Sequence, residues 1–300
     1  MEYTKPHQSI NDQVSLLIQR GLICDDLSDM ENKLYEVSYY RLSAYWHCFK
    51  KPIPGQNKRD CNFQTNTSFD TIWNHYTFDR QLKLLLFDAI ERIEIAIRTR
   101  LVHTITEKFG VFGYTNPQIA HDIERHNQWL ISFRNCVQRA RKSSACVQHF
   151  YKEYGDVHSD TPMWVGAETL TYGCVNQLFQ SIHNDLRADV IAHLPAKYEI
   201  LQSWLIQFNF VRNACAHHEY VWNRVWKRTI KFPKTLNSTG FPLNKTGAII
   251  LICRLLLKTI APHSQWHKRM ESLFLDYSQK NINFNQIGLP HSWQNNPIWK

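Results

Sequence analysis

Disulfide frameworks, zinc clusters and membrane spans are all missing from this chain. Its eight cysteines, Cys24, Cys48, Cys61, Cys136, Cys146, Cys174, Cys215 and Cys253, are scattered without a C-x-x-C pair or zinc-like spacing. Several occupy apolar positions of expected helices, where reduced cysteine behaves as a small core residue. The start, Met1-Glu2-Tyr3-Thr4-Lys5-Pro6, lacks the apolar run of a signal peptide. The most hydrophobic segment, Ala248 to Leu257, contains Arg254 and is too short to span a bilayer. The expectation is a cytoplasmic, reduced protein with no metal, no cofactor and no membrane contact. Only 10 Gly and 11 Pro in 300 residues fit neither a many-turned β-sandwich nor a disordered chain. No stretch alternates in polarity long enough to build a sheet, so the expected fold class is all-α.

Helical periodicity supplies the architecture. Ser9 can cap a helix from Ile10 to Arg20, with Val14, Leu17 and Ile18 on one face and Gly21 as its stop. A second helix after Asp25-Asp26 carries Leu27, Met30 and Leu34, and Tyr39 to Trp46 follows with aromatics at both ends. Residues 1–50 read as a small N-terminal helical module. A helix-turn-helix DNA reader is the competing reading, without a visible basic recognition helix. The Pro-, Asn-, Lys- and Thr-rich stretch 51–67 reads as a loop or linker. Residues 68–265 form the expected helical core. It opens on Ser68 and a long helix from Asp70 to about Phe109. Further helices are expected from Pro117 to Gln138, after Pro162, from Ile200 to Val211 and from Gly247 to Ile260. The tail, 266–300, carries Leu289, Pro290, Trp293, Pro297 and Trp299 and reads as docked rather than free.

The formal net charge of +9 leans toward a polyanionic partner, against the plainer reading of a basic surface that binds nothing. The chemistry concentrates in Phe210-Val211-Arg212-Asn213-Ala214-Cys215-Ala216-His217-His218-Glu219. Histidine titrates near neutral pH, Arg is a permanent fork-shaped phosphate ligand, and Asn can orient either. An Arg followed by His after four to six positions is weak evidence alone. It recurs at Arg41/His47, Arg98/His103 and Arg187/His193, and chance supplies a few such pairs. Residues five apart also sit about 140° apart around an ideal helix, so the motif calls for a helix end or break, or for a long Arg side chain that reaches around. Cys215 raises a Cys/His nucleophile alternative, which the divergent directions of neighbouring helix positions disfavour. Glu91, Glu94 and Arg98 share a helix face, with a surface salt-bridge ladder as the competing reading. Glu168 sits among apolar and small residues and must face solvent or find a partner.

Arg212-Asn213-Ala214-Cys215-Ala216-His217-His218, followed by Trp222-Asn223-Arg224, resembles the signature of the Abi family of bacterial abortive-infection proteins, of the AbiD/AbiF type. Those proteins belong to the HEPN superfamily of all-helical ribonucleases. Tyr39 to Trp46, Glu91 to Arg98, Pro162 to Gly173, and Gly288-Leu289-Pro290 with Trp293 and Trp299 resemble further blocks of that family in the same order. The resemblance implies a HEPN-like helical bundle and an antiphage endoribonuclease, a toxin that kills or stalls the infected cell. It implies Arg212, Asn213 and His217 as the main catalytic set. Arg98 and His103 resemble a second motif, although Thr99 replaces the Asn. In that superfamily two motifs commonly meet across a homodimer or within one chain.

The expected reaction needs no metal, because RNA carries its own 2′-OH nucleophile. His217 would move the proton and Arg212 would hold the phosphate, with Asn213 keeping the imidazole or a phosphate oxygen in place. The second proton carrier would be His218, His103 or His217 of a second subunit. Glu91, Glu94 and Glu168 would fix the arginines. Arg224, Lys227, Arg228, Lys231 and Lys234 would contact phosphates, and Trp222 and Trp226 would stack on unpaired bases unless they belong to the core. The competing function is a non-catalytic RNA-binding module that holds a structured small RNA, and a regulatory RNA of that kind could also silence the nuclease.

Overall fold

The computed structural model describes residues 2, 4, 6–234, 236 and 240–300. Three short helices come first: α1 (Ile10–Gln19), α2 (Leu27–Val37) and α3 (Tyr39–Trp46). Ser9 and Asp12 close a capping box on α1, satisfying backbone donors that the first turn leaves free. The stretch expected as a loop contains an antiparallel hairpin, β1 (Lys50–Pro52) and β2 (Arg59–Phe63), with Lys50 opposite Phe63 and Pro52 opposite Arg59. Pro and Gly at its tip bend the chain, and Phe63 is buried against Trp46, which anchors so short a ladder.

The molecule is built on α4 (Phe69–Phe109), 41 residues and about 60 Å long at 1.5 Å per residue. Ser68 caps it, and Gly110 ends it at φ 80°. Ile72, Leu82, Leu86, Ile90, Ile93, Ile97 and Leu101 are buried along it. Next come α5 (Ile123–Ala140), α6 (Ala145–Tyr154), α7 (Met163–Ala167), α8 (Tyr172–Ser181), α9 (Asn184–Val190), α10 (Tyr198–Ala216), α11 (Thr246–Ile260) and α12 (Trp266–Asp276). The all-α expectation holds. Asp122 rather than Pro117 starts α5, because Pro117 opens a separate 3₁₀ turn. Helices α3, α7, α8, α9, α10, α11 and α12 all pack on α4. The tail buries Leu289, Trp293, Ile298 and Trp299, with the two indoles edge to face. Among the described residues no helix is long and apolar enough to cross a membrane.

Helix α10 runs antiparallel to α4. Before its start, the Val190 and Ala192 carbonyls accept from Arg100. Arg212, near its end, lies over the Phe87 ring, and the chain beyond it meets Asp79. This direction decides which motif residues meet.

Candidate active site

Helix α10 ends inside the motif. Ala216 is its last residue, His217 is the C-cap, and His218 takes a left-handed φ of 60°. The motif therefore lies at a helix terminus. This end leaves His217 and His218 exposed, while Arg212 and Asn213 are half-buried on the last full turns. Phe210, Asn213 and His217 follow one another at three- and four-residue spacing, so they line one face of the helix end. Arg212 Nη1 donates to Asn213 Oδ1 at 3.3 Å, and its guanidinium carbon lies 5.8 Å from the centre of the Phe87 ring. Among the described residues its other guanidinium N–H groups have no hydrogen-bond acceptor, and such groups can grip an anion.

Glu94 bonds to one arginine of the motif pairs and lies within electrostatic reach of the other. Arg98 Nη2 donates to Glu94 Oε1 at 2.6 Å and to the Leu170 carbonyl at 3.3 Å, and Arg212 also acts electrostatically on Glu94. Burial pushes the Glu94 carboxyl above its ordinary value, against the pull of Arg98 and Arg212. The two environmental effects oppose each other, and desolvation wins. Tyr172, the first residue of α8, lies wholly buried beside Glu94, Cys253 and Arg212. Burial drives its phenol pKa up, and its hydroxyl makes no hydrogen bond among the described residues. Glu94 is thus no part of a surface ladder. Glu91 is exposed and acts on Glu94 only as a like charge. Glu168 is largely exposed, with Oε2 4.0 Å from Arg98 Nη1.

The segment leaving the motif is held by a residue that the sequence reading passed over. Asp79, fully buried on α4, accepts from Val221 N at 2.9 Å, Trp222 N at 2.8 Å and Tyr45 Oη at 2.7 Å, and pairs with Lys83 at 3.1 Å. Its signal was available: position 79 falls on the apolar repeat that includes Ile72, Leu82 and Leu86. A carboxylate there needs several donors. Arg41, whose pairing with His47 looked coincidental, donates to the His218 carbonyl at 3.1 Å and steadies the same turn. Cys215 is buried, and desolvation with the nearby Asp79 charge pushes its thiol up to about 12. A thiolate nucleophile is not built here.

Other expected residues lie elsewhere. His103 is exposed, with Glu107 as its nearest ionic neighbour at 3.8 Å. Cys215 sits near Asp79 and Lys83, so His103 lies about 30 Å from that level along α4 at 1.5 Å per residue. The structure brings Arg98 and Arg212 to one carboxylate but does not bring His103 to His217. Trp222 and Trp226 are buried, which corrects the stacking expectation: Trp222 packs on His75 at 4.5 Å, and Trp226 Nε1 donates to Thr246 Oγ1 at 3.2 Å. Lys227, Arg228, Lys231 and Lys234 are exposed. Arg224 instead pairs with Glu219 and lies over the Trp226 ring. Among the described residues no group of three or more His, Cys, Asp or Glu gathers as a metal site.

The family model described as Abi-like protein matches residues 32–223, more than half of the chain. That span runs from α2 through α10 and ends just after the Asp79-anchored segment. Comparison with curated proteins and with solved structures finds no match.

Proposed function

The chain belongs to the Abi-like protein family, and from that premise we propose that it is an abortive-infection effector of antiphage defence acting as a HEPN-type endoribonuclease. The observation that carries this reading is the helix end. Arg212 is steered by Asn213 and Phe87 beside the buried Glu94–Arg98 pair, and α10 stops so that His217 projects into solvent.

In the reaction, His217 takes the proton of a 2′-OH, whose oxygen attacks the adjacent phosphorus. The P–O5′ bond breaks, and a protonated group supplies a proton to the leaving oxygen. The products are a 2′,3′-cyclic phosphate and a 5′-OH. Arg212 offsets charge on the crowded phosphorane. Arg98 acts as a positioning residue, since its guanidinium is committed to Glu94 and the Leu170 carbonyl. With His103 remote, the second proton carrier is His218 or His217 of a second copy. A homodimer is supported by the apolar rim beside the motif: Leu84, Phe87 and Ile95 recur on one side of α4, and Phe210 stands exposed on α10. Lys227, Arg228, Lys231 and Lys234 extend phosphate contact away from the cut.

Labelled single-stranded RNA incubated with EDTA tests the proposal. The wild type is expected to leave cyclic-phosphate ends, and His217→Ala to lose at least about 100-fold in rate. Equal residual cleavage by both proteins would remove His217 from catalysis. The second reading, a non-catalytic holder of a structured small RNA, draws on the single exposed motif and the basic segment behind it. It predicts RNA that copurifies, dissociates at high salt and is never cut.

A further inference from the structure

A groove outside the motif carries the two features that single-stranded nucleic acid needs. It lies between α1, the α2–α3 turn and the β1–β2 hairpin, with a volume of about 1140 Å³. That exceeds the roughly 300–1,000 Å³ of small-molecule sites and suits a stretch of polymer. Three tyrosines and two cations line it: Tyr35, Tyr39, Tyr40, Arg20 and Lys50. Tyr40 is 88% exposed and Tyr35 76%, so both rings are open to solvent.

We propose that this groove binds single-stranded RNA, with phosphates between Arg20 and Lys50 and bases on Tyr35 and Tyr40; the choice of RNA rests on the function proposed above. Tyr39 is fixed edge-on against Trp46 at 4.8 Å, and its hydroxyl accepts from Arg20 Nη1 at 2.9 Å, which aims the guanidinium. Among the described residues neither Arg20 nor Lys50 has a carboxylate within ion-pair distance. Asp60, the acid that acts on Lys50, turns its oxygens to Cys61 N and Asn62 Nδ2. Burial and the Arg20 charge press the Lys50 ammonium below its ordinary value, a repulsion that an intervening phosphate would relieve. Lys51, Lys58 and Arg59 continue the positive charge along the hairpin. An acidic peptide would satisfy the cations but leave the open tyrosine faces uncovered, whereas any base can stack on them.

The groove and the helix end are both touched by α3. Residue 40 lines the groove, and the next residue, Arg41, holds the His218 carbonyl at 3.1 Å.

The test is fluorescence anisotropy of a labelled 12-nucleotide unstructured RNA against the His217→Ala protein, which spares the probe, over a series of KCl concentrations. Tyr35→Ala and Tyr40→Ala are each expected to raise Kd about tenfold. Lys50→Ser should also reduce the slope of log affinity against log salt by about 0.7, the share of one phosphate contact, and Lys50→Arg should restore it. Lys152→Ser, at an exposed cation on α6, should leave binding unchanged. Unaltered Kd in the tyrosine variants overturns the proposal, as does tighter binding of a poly-glutamate 12-mer than of RNA. Cleavage is not read here, so the two proposals fail separately. Groove-dependent binding without any RNA cutting by the wild type removes only the nuclease. Cutting by the wild type with groove-independent binding removes only the groove.

Discussion

At the scale of single residues, Glu94 shows a charge kept at an energetic cost. Its carboxyl sits above the ordinary value of 4.5 because burial outweighs two nearby guanidinium groups. A folded-state pKa raised in this way means that the folded protein binds the proton more tightly than the unfolded chain. Stability then falls as pH rises from about 4.5 through the raised value. Glu94→Gln should remove that slope and fold within about 1 kcal/mol of wild type at neutral pH, or more stably. RNA cleavage by the variant should nevertheless fall about 100-fold, since Arg98 loses its anchor and Arg212 a nearby negative charge. Urea melts between pH 4 and 8 beside cleavage rates check both halves. A loss of several kcal/mol at pH 7 would mean that attraction, not desolvation, governs this carboxylate.

At the scale of elements, Asp79 fastens two pieces to α4: α3 through Tyr45, and the chain after α10 through Val221 and Trp222, while Lys83 on α4 itself balances its charge. Asp79→Ala strands two backbone N–H groups and a buried ammonium. The expected loss is about 3–5 kcal/mol in urea unfolding. A change below about 1 kcal/mol would show that water replaces the carboxylate at little cost. The tail gives a second case. Gly247, on the first turn of α11, has no room for a Cβ because the Gly288 carbonyl lies against it. Gly288 itself needs its φ of 86° to turn the tail back over Lys245. Gly247→Val should lift residues 284–299 from the core, cost about 2 kcal/mol and speed proteolysis of the tail. Wild-type protease resistance in that variant would count against close docking.

For the whole molecule, the apolar rim beside the motif is the surface on which the proposed homodimer would form. Leu84 is 62% exposed, so Leu84→Asp should leave the monomer fold intact. It should shift sedimentation from dimer to monomer and abolish cleavage with it. A monomeric wild type that cuts RNA would assign the second proton to His218.

Much of this architecture is legible in the sequence. Ser9 and Ser68 cap helices where their side chains can satisfy free N–H groups, and the apolar repeat from Ile72 to Leu101 traces α4 almost to its ends. The helix end at His217 is one of the outcomes that the spacing allows. Five residues do not return to one face of an α-helix, and only a terminus, a break or a reaching Arg side chain can compensate. Periodicity reveals which residues share a face, but not what packs against that face. Glu94, Asp79 and Trp222 therefore changed meaning only when α8, α10 and the segment after it closed over α4. The antiparallel course of α10 likewise decided that Arg212 comes within electrostatic reach of the Glu94–Arg98 pair while His103 stays remote. The local alphabet of helices, caps and breaks resides in the sequence itself. Which charges are buried together depends on the direction and register of helix packing, a property of the tertiary structure alone.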